Sequence, residues 1–574
     1  MMLNAVSENF DLWGSAHTTK SASGRGSSSK LDLHGIKKLR ELILELAVRG
    51  KLVPQNSNDE PASVLLERIA AEKAQLLKTK KIKKQKPVPP ITDKEKPFVL
   101  PEGWVWVRFG DVTFNRDAER VPLSVSQRRS RQGKYDYYGA SGVIDSIDGY
   151  LFDKPLLLIG EDGANLINRS TPIAFMAYGK YWVNNHAHVL DGITEEFLIY
   201  LGLFINAISL ESYVTGTAQP KMNQAKMNTI LFAFPPEAEF IRITAKVNEL
   251  MTLCDQLEQQ QTNSITAHQT LVEELLATLT NSTTADEVAE NWARIAENFD
   301  TLFTTDHSVD QLKQTVLQLA VMGRLVPQNP EDEPASVLLE KIAAEKAQLV
   351  KDKKIKKQKP LPVITDEEKP FNLPAGWVFA QLEDIVDIQS GITKGRKLAG
   401  RNLISVPYLR VANVQRSALD LTVIKEVEIP IEEKEKYEVI PRDLLITEGG
   451  DWDKVGRTSV WSGELPYVAH QNHVFKARIF LKEQSEDWIE MYLNAPFARA
   501  YFAGSSKQTT NLASINKTQL RGCLVAIPPA KEKSRIVSKV NELMGFCNTL
   551  KSQIHQTQTT QLQLANAMVE QAVA

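Results

Sequence analysis

Cysteine is scarce in this chain, which has only three cysteines in 574 residues. So few thiols argue against a disulfide framework and suit a reducing compartment. No run of about 18 apolar residues is present, and no basic segment followed by an apolar leader opens the chain. We therefore expect a cytoplasmic protein. The formal net charge is −2, so any attraction to a polyanion must come from local patches or from partners.

Catalytic signatures are also missing from the sequence. It contains no GxxxxGK[ST] phosphate loop, no glycine-rich cofactor fingerprint, no NPPY-like or DPPY-like tetrapeptide, no nucleophile elbow and no HExxH. A nuclease motif with an acid two residues before its lysine fails at Lys454, because Trp452 holds that position. These absences predict a non-catalytic chain that binds no metal or cofactor of its own.

Internal repetition is the strongest feature that is present. Residues 47–104 recur without a gap at 320–377, 273 residues later, and residues 234–257 recur at 527–550, 293 residues later. The regions between the repeated blocks are poorly alike, and the second is 20 residues longer. A long internal period outranks other sequence signals. Here it predicts a repeated frame that carries two different inserts.

The repeat divides the chain into five regions and predicts an α/β multidomain fold. Helical patterns dominate the frame, whereas the inserts mix short β-like runs with helical ones. We predict two α/β domains separated by long antiparallel, coiled-coil-like helical regions, with an internal pseudo-two-fold repeat. The regions are an N-terminal helical region (1–100), the first insert (101–235), a central helical region (236–373), the second insert (374–528) and a C-terminal helix (529–574).

Two long helices are predicted over 236–280 and 530–574. Their apolar residues follow a heptad spacing, for example Ile243, Val247 and Leu250 in the first helix. A helix of about 40 residues is roughly 60 Å long, which is enough to hold two domains apart. Cys254 and Cys547 occupy matched heptad positions without metal-ligand spacing. We therefore expect both to be buried small hydrophobes.

Histidines and acidic glycine-containing stretches invite a metal or nuclease interpretation that the repeat argues against. Segment 184–190 (NNHAHVL) resembles 470–475 (HQNHVF) when His188 is aligned with His473. This alignment puts Gln471 where the first copy has His186, which a duplicated metal site would not tolerate. We interpret the histidines as structural strand residues. LLIGEDG and LLITEGG are each predicted to be a strand followed by a tight turn.

Local positive charge supplies candidate contacts to nucleic acid. Six lysines fall between Lys78 and Lys86, and the run is copied at Lys351 to Lys359. Such a run suits DNA phosphates, but equally a solvated helix end followed by a charged linker. Other candidates are cations beside tyrosines and polar loops, although a solvated face or an ordinary polar loop explains these patterns too. The candidate contacts are Arg128, Arg129, Arg131, Lys134, Tyr135, Tyr137, Arg169, Gln219, Lys221, Asn223, Thr393, Lys394, Arg396, Lys397, Arg401, Lys454, Arg457, Lys507, Gln508, Asn511 and Asn516.

Taken together, these features resemble the specificity subunits of type I restriction–modification enzymes. The resemblance covers essentially the whole chain and is carried by two variable inserts on repeated frames. In the first half its motifs are GEDG, TGTAQPKMN and PPEAEFIRITAKVNEL, and in the second half they are SGITKG, TEGG and PPAKEKSRIVSKVNEL.

The resemblance implies that each insert is a target recognition domain reading one half of a split sequence in double-stranded DNA. The helical regions would set the distance between half-sites and dock two methyltransferase subunits, which motor-endonuclease subunits join for restriction. S-adenosylmethionine, ATP and Mg²⁺ would then be bound by the partner subunits. The rival interpretations are a stand-alone DNA-processing enzyme and a helical scaffold that binds only proteins.

Overall fold

The computed structural model describes residues 10–20, 30–83, 87–216, 219–282, 285–450, 454–509 and 512–573. The chain forms two units. One comprises the described residues up to Ser264 together with those from Gln556 onwards, and the other is Ile265–His555. No helix among the described residues is long and apolar enough to cross a membrane.

The frame of each unit begins with a pair of helices. Helix His34–Val48 buries an apolar stripe at helical spacing, including Ile36, Leu39 and Leu42. Gly50 then takes a left-handed backbone conformation (φ +67°), which glycine adopts without steric cost. The second helix, Ala62–Lys78, starts directly after Pro61, and proline is tolerated at the start of a helix because the first N–H groups have no partner within the helix. In the other unit the pair is Asp306–Val321 and Ala335–Lys351.

The first unit contains the first insert. Its other helices are Phe10–Ser15, Phe109–Val112, Val125–Ser130, Asn165–Asn168, Glu195–Ala207 and Gln224–Asn228, with 3-10 turns at Asp93–Glu95, Asp117–Glu119 and Glu211–Tyr213. Its strands are Thr18–Lys20, Lys30–Asp32, Val105–Arg108, Phe114–Asn115, Gln132–Gly139, Gly142–Ile147, Leu156–Gly160, Ala174–Ala177, Tyr181–Val183, Ala187–Asp191 and Leu231–Phe234.

The second unit contains the second insert. Its other helices are Ala285–Glu297, Phe299–Leu302, Leu382–Ile385, Lys434–Tyr437, Glu486–Asn494, Pro496–Ser505 and Lys517–Arg521, with 3-10 turns at Asp366–Glu368, Val411–Asn413, Ile431–Glu433 and Lys482–Gln484. Its strands are Val378–Gln381, Val386–Gln389, Leu403–Leu409, Val414–Gln415, Ala418–Leu419, Lys425–Pro430, Leu444–Thr447, Gly449–Gly450, Thr458–Val460, Ala469–His470, Val474–Ile479, Lys507–Thr509, Leu512–Ser514 and Leu524–Ile527.

The two inserts share a sheet plan despite their different sequences. Each is closed by an antiparallel pair of its first and last long strands, Val105–Arg108 with Leu231–Phe234 and Val378–Gln381 with Leu524–Ile527. Each also has a four-stranded antiparallel sheet. In the first insert the strands of this sheet lie in the order 114–115, 187–191, 156–160 and 174–177. In the second insert the order is 386–389, 474–479, 444–447 and 458–460.

One stretch with a helical pattern in the second insert is broken into two helices. Residues 487–502 carry a helical pattern, but Glu486–Asn494 stops before Ala495 and a new helix starts at Pro496. Proline lacks the amide N–H that a continuous helix requires, and it disfavours helical backbone at the residue before it. The break therefore follows from Pro496 rather than from packing.

The two long helices are Glu237–Asn281, with 45 residues, and Ala530–Val573, with 44 residues. Each contributes residues to both units. Most heptad positions are buried as expected, including Val247 and Val540, whereas Leu257, Leu543 and Leu550 are half-buried. Cys254 and Cys547 are buried thiols, and burial raises the pKa of both. This confirms the prediction that they are packing residues.

The repeated sequence blocks contact each other within each unit. Trp104 Nε1 and Gln55 Nε2 donate to Glu239 of the first long helix, at 2.9 and 2.6 Å. Beside them Arg242 pairs with Asp59 at 2.6 Å. The equivalent group in the second unit consists of Trp377, Gln328, Glu532, Arg535 and Asp332, with donor–acceptor distances of 2.6–3.1 Å. This pair of buried anchors explains why both blocks are duplicated.

The first anchor joins the insert to the frame as one core. Phe197 and Tyr200 of the insert pack against Phe240 of the first long helix, with ring centroids 5.8 Å apart in both pairs. The same buried cluster includes Leu39 and Leu46 of the frame. Because the insert shares its main core with the helices, the helices fix its position within the unit.

Candidate nucleic-acid interface

An acidic turn and a polar loop meet in the first insert. The turn is Gly160–Gly163 and the loop covers residues 215–223, of which 217 and 218 lie outside the described residues. The Met222 N–H donates to the Glu161 carbonyl at 2.8 Å, and the Gly163 N–H donates to the Pro220 carbonyl at 2.9 Å. We call this pair of segments the first loop site.

The second insert contains the equivalent pair. Its turn is Thr447–Gly450 and its polar loop covers residues 507–516, where 510 and 511 fall outside the described residues. The Ile515 N–H donates to the Glu448 carbonyl at 2.9 Å, and Gly449 pairs with Ser514. This is the second loop site. The sequence singled out the turns and the loops separately, and the fold joins them.

The predicted alignment of the histidines is wrong by two residues. Glu161 donates its N–H to the carbonyl of His186, and Glu448 donates to the carbonyl of His473, so these two histidines are equivalent. Each also places Nδ1 against a carboxylate of its own turn, Asp162 at 2.8 Å and Glu448 at 2.5 Å. In the second insert Phe475 therefore stands where the first has His188.

His188 lies beneath the first loop site and is 1% exposed. Its Nδ1 is 2.7 Å from Asp117 and its Nε2 is 2.9 Å from the carbonyl oxygen of Met222. Both neighbours are acceptors, so both ring nitrogens donate only when the imidazole is protonated. Burial lowers the pKa of His188, but its partners, chiefly Asp117, outweigh that effect and raise it overall. The protonated ring thus ties the polar loop to the sheet.

Charge pairing around the first loop site extends this network. Glu161 pairs with Arg120 at 3.0 Å and with Lys221 of the polar loop at 3.2 Å. Arg120 also reaches Asp117 at 3.4 Å. Of this group only Lys221 was a predicted contact. Arg120 and Asp117 lie in a charged stretch of the sequence, but nothing local shows that they reach the GEDG stretch.

The buried residues near the second loop site differ from those near the first loop site. His470 is fully buried and its Nδ1–H donates to the Val474 carbonyl, 2.7 Å away, and burial lowers its pKa to about 4. Burial also lowers the pKa of Lys476 to about 8. The two inserts therefore support equivalent loops with different chemistry.

Three candidates of the first insert serve the fold. Tyr137 is fully buried and accepts from the Leu123 N–H at 3.0 Å, so its interpretation as a DNA contact is wrong. Arg128 stacks on the Tyr137 ring and pairs with Asp145 at 2.8 Å. Arg131 is held in the same way between Trp182 and Asp148. Aromatic burial inside a small sheet explains the pattern that suggested base stacking.

Other candidates of the first insert lie at the surface. Arg129, Lys134, Gln219 and Lys221 are exposed, and Tyr135 is half-buried against Tyr150. Two further candidates have structural partners. Arg169 donates to the Ile208 carbonyl at 2.8 Å, and Asn223 caps helix Gln224–Asn228 by accepting from Lys226 N–H.

The glycine-rich loop of the second insert mixes paired and exposed candidates. Arg396 and Arg401 pair with Glu433 and Glu432, at 2.8 and 2.6 Å. Lys394 lies over the Tyr408 ring at 4.9 Å. Thr393, Lys394 and Lys397 are exposed. Arg401 is exposed as well, but its guanidinium is held by the glutamates.

The remaining candidates belong to the second loop site and its surroundings. Arg457 donates to Gln415 at 2.5 Å, and Lys454 follows the acidic turn, its carbonyl accepting from the Thr447 hydroxyl. Asn516 caps helix Lys517–Arg521. The backbone of Lys507 and Gln508 forms a strand, whereas Asn511 lies outside the described residues.

The second lysine run, Lys351 to Lys359, is the basic segment of the second unit. All six lysines are exposed, and none forms an ion pair with a described residue. Arg521 donates to the Lys359 carbonyl at 2.5 Å, which seats the segment against the helix that follows the second polar loop. Residues 84–86 of the first lysine run lie outside the described residues. Within the described residues no group of three or more His, Cys, Asp or Glu side chains could hold a metal ion.

Comparison with known proteins identifies the family. Residues 101–267 match the type I restriction modification DNA specificity domain. The chain is 39% identical over 601 aligned residues to the type I restriction enzyme EcoEI specificity subunit of Escherichia coli, and 41% identical to the EcoAI specificity subunit of the same species. Both alignments cover 99% of each chain. The chain belongs to the family of type I restriction enzyme specificity subunits.

Family membership confirms the resemblance predicted from the sequence and, with it, a role in DNA sequence specificity. Type I specificity subunits are also found among solved structures. The HsdS subunit from Thermoanaerobacter tengcongensis is 16% identical, with a TM-score of 0.38, and the alignment covers 83% of this chain and 98% of that chain. The mixture of helices and sheets with long helices agrees with the predicted fold class.

Proposed function

We propose that this specificity subunit reads a bipartite target in double-stranded DNA, with each insert acting as the target recognition domain for one half. The observation that carries the proposal is the duplicated loop site. In both inserts a loop N–H, of Met222 or of Ile515, donates to the carbonyl of the glutamate in the acidic turn, while the side chains around this bond differ. Equivalent loops with different side chains suit two half-sites of different sequence, because base edges are distinguished by side-chain hydrogen bonds.

The exposed polar and basic side chains are the proposed contacts. In the first insert these are Arg129, Lys134, Gln219 and Lys221, all accessible at the surface. In the second insert Thr393, Lys394 and Lys397 are the exposed polar and basic candidates. The basic segment adds a phosphate contact that carries no sequence information. Since it is seated on helix Lys517–Arg521, DNA at the second polar loop would pass close to it.

The two long helices are the proposed spacer between the half-sites. A helix of 45 residues is about 68 Å long at 1.5 Å per residue. Their antiparallel arrangement, the docking of two methyltransferase subunits and the joining of motor-endonuclease subunits belong to the same proposal. In it this chain is non-catalytic and cytoplasmic, and S-adenosylmethionine, ATP and Mg²⁺ are bound by its partners.

An exchange of inserts tests the proposal. Residues 101–235 are replaced by the corresponding region of the EcoAI specificity subunit, and the modified adenines in the host genome are sequenced. We expect one half of the modified motif to change and the other half to stay. The reciprocal exchange of 374–528 is the matched control and should change the other half. A motif that is unchanged in both exchanges, or that changes in both halves at once, contradicts the proposal.

Helix length provides the second arm of this test. Insertion of four residues, about one turn, near residue 275 should alter the number of unspecified bases between the half-sites without altering either half. A change in the half-sites themselves would contradict the spacer role.

A further inference from the structure

Arg108 fills a buried acceptor site in the first unit. It is 5% exposed. Its guanidinium donates to the carbonyls of Pro89, Pro90 and Thr229, at 3.0, 3.2 and 3.0 Å, and to Glu95 at 2.8 Å. One arginine thus joins the linker before the insert to the end of the insert. The five N–H donors of a planar guanidinium fit such a set of convergent oxygens.

The second unit keeps this site but lacks its arginine. By the repeat spacing, Pro362, Glu368 and Gly522 stand where Pro89, Glu95 and Thr229 stand. Gln381 replaces Arg108, as the strand pairing confirms, because Arg108 pairs with Leu231 and Gln381 with Leu524. Gln381 donates to the Pro362 carbonyl at 2.8 Å, so it satisfies only one of the acceptors.

The charged acceptor among those that Gln381 does not reach is the Glu368 carboxylate. Its Oε2 accepts from Thr365, as Glu95 Oε2 accepts from Thr92 in the first unit. Oε1, equivalent to the atom that accepts from Arg108, accepts from no described donor. Glu368 is exposed, so this oxygen is accessible to a cation from outside the chain.

A cavity of about 390 Å³ lies beside Gln381, where the first unit has the Arg108 side chain. Pro362, Glu368, Gln381 and Gly522 line it, together with the aromatic rings of Tyr492 and Phe497. Glu368 is its only charged lining residue. One carboxylate beside aromatic faces favours a cation, and a planar guanidinium gains from stacking as well as from paired hydrogen bonds.

We propose that this cavity is a binding site for a guanidinium group supplied from outside the chain. The group is either the side chain of an arginine on another protein or free arginine. It would pair with Glu368 and take the place that Arg108 holds in the first unit, joining the second insert to its linker. This proposal rests on the comparison of the two units and does not depend on which DNA sequence is read.

Binding of methylguanidinium to the full chain, measured by isothermal titration calorimetry, tests the site. We expect one site with a dissociation constant of about 1 mM, as suits a small ligand held by one ion pair and stacking. Methylammonium and urea are the controls, since the first lacks the planar fork and the second lacks the charge. No saturable binding, or equal binding of methylammonium, would overturn the proposal.

Two reciprocal variants locate the binding. Gln381→Arg supplies the guanidinium internally, so we expect it to abolish methylguanidinium binding and to raise Tm by about 2–4 °C. Arg108→Gln should create a second site in the first unit, provided that the unit folds. Gln381→Arg alone is decisive: undiminished binding in a folded variant refutes the location.

The source of the guanidinium is distinguished by assembly. If a partner protein supplies it, saturating methylguanidinium should weaken the assembly of this chain with its methyltransferase subunits, and Gln381→Arg should do the same. If free arginine is the ligand, assembly should be unchanged and L-arginine should bind to the isolated chain as methylguanidinium does.

Discussion

The buried anchor at Glu239 gives a prediction whose magnitude depends on pH. Trp104→Phe removes the indole N–H that donates to Glu239 at 2.9 Å, leaving Gln55 as the remaining side-chain donor. Glu239 is 1% exposed, and burial already raises its pKa despite both hydrogen bonds. Losing a donor should raise this pKa further, because the ionised carboxylate depends on donors for its stability.

The magnitude follows from the kind of hydrogen bond that is lost. A hydrogen bond to a charged group contributes about 1.5–3 kcal/mol, so we expect Trp104→Phe to lower the free energy of unfolding by about 2 kcal/mol at pH 8. For a unit of this size that corresponds to a fall in Tm of about 4–8 °C. An acid whose folded-state pKa is raised destabilises the fold as pH rises past its ordinary value. The loss should therefore be smaller at pH 5 than at pH 8.

Thermal unfolding at the two pH values, together with hydrogen exchange, measures this effect. Trp377→Phe is the matched variant in the second unit and should lose exchange protection around Gln328 and Glu532 instead. Trp106→Phe is the control, since Trp106 is partly buried beside Phe98 but lies outside the anchor. An equal loss at both pH values, or an equal loss in Trp106→Phe, would refute the assignment of the anchor.

Three further predictions concern the sites described above. The folded-state pKa of His188 is raised, so its hold on Met222 should be present below about pH 6.5 and be lost as pH rises through the raised value. As pH rises, hydrogen exchange in residues 219–223 should then accelerate by more than the intrinsic increase of amide exchange with pH. His188→Phe should remove this extra acceleration. Burial raises the pKa of Glu490 to about 7. Glu490→Gln should therefore stabilise the protein by up to about 3 kcal/mol at pH 8 and little at pH 4.5, as thermal unfolding would show. Replacing three lysines of the basic segment by glutamine should make the negative slope of log affinity against log salt shallower by about 2–3. Binding should weaken to the same extent for all DNA sequences. An unchanged slope would contradict the phosphate contact.

Helical elements followed the sequence closely because their signals are local. The stripe of Ile36, Leu39 and Leu42 predicts the helix that the structure shows, and both long helices fall within a few residues of their predicted bounds. The apolar spacing of a helix and the residues that end or start it, such as Gly50 and Pro61, involve only residues that are close in sequence. Helices can therefore be predicted without knowing the fold.

Contacts between distant segments were the part that the sequence could not provide. The repeat identified Trp104 and Glu239 as members of duplicated blocks. Nothing in the sequence near either residue shows that they form a hydrogen bond, because they are 135 residues apart. Tyr137 shows the same limit from the other side. A tyrosine among basic residues matches a stacking platform as well as a buried sheet, and only its zero exposure decides between them.

Small differences between the two units were also hidden by the divergence of the inserts. The alignment of His188 with His473 followed a shared HV dipeptide, whereas strand pairing makes His186 the equivalent of His473. The exchange of Arg108 for Gln381 became meaningful only when the oxygens around Arg108 were known. Both results required the backbone register of one unit to be compared with that of the other.

Sequencing of modified adenines in a host with and without this chain tests the central claim most directly. We predict that the chain adds one motif made of two specified half-sites separated by a fixed number of unspecified bases. A single uninterrupted motif, or an identical set of modified adenines with and without the chain, would contradict the account of two readers on one repeated frame.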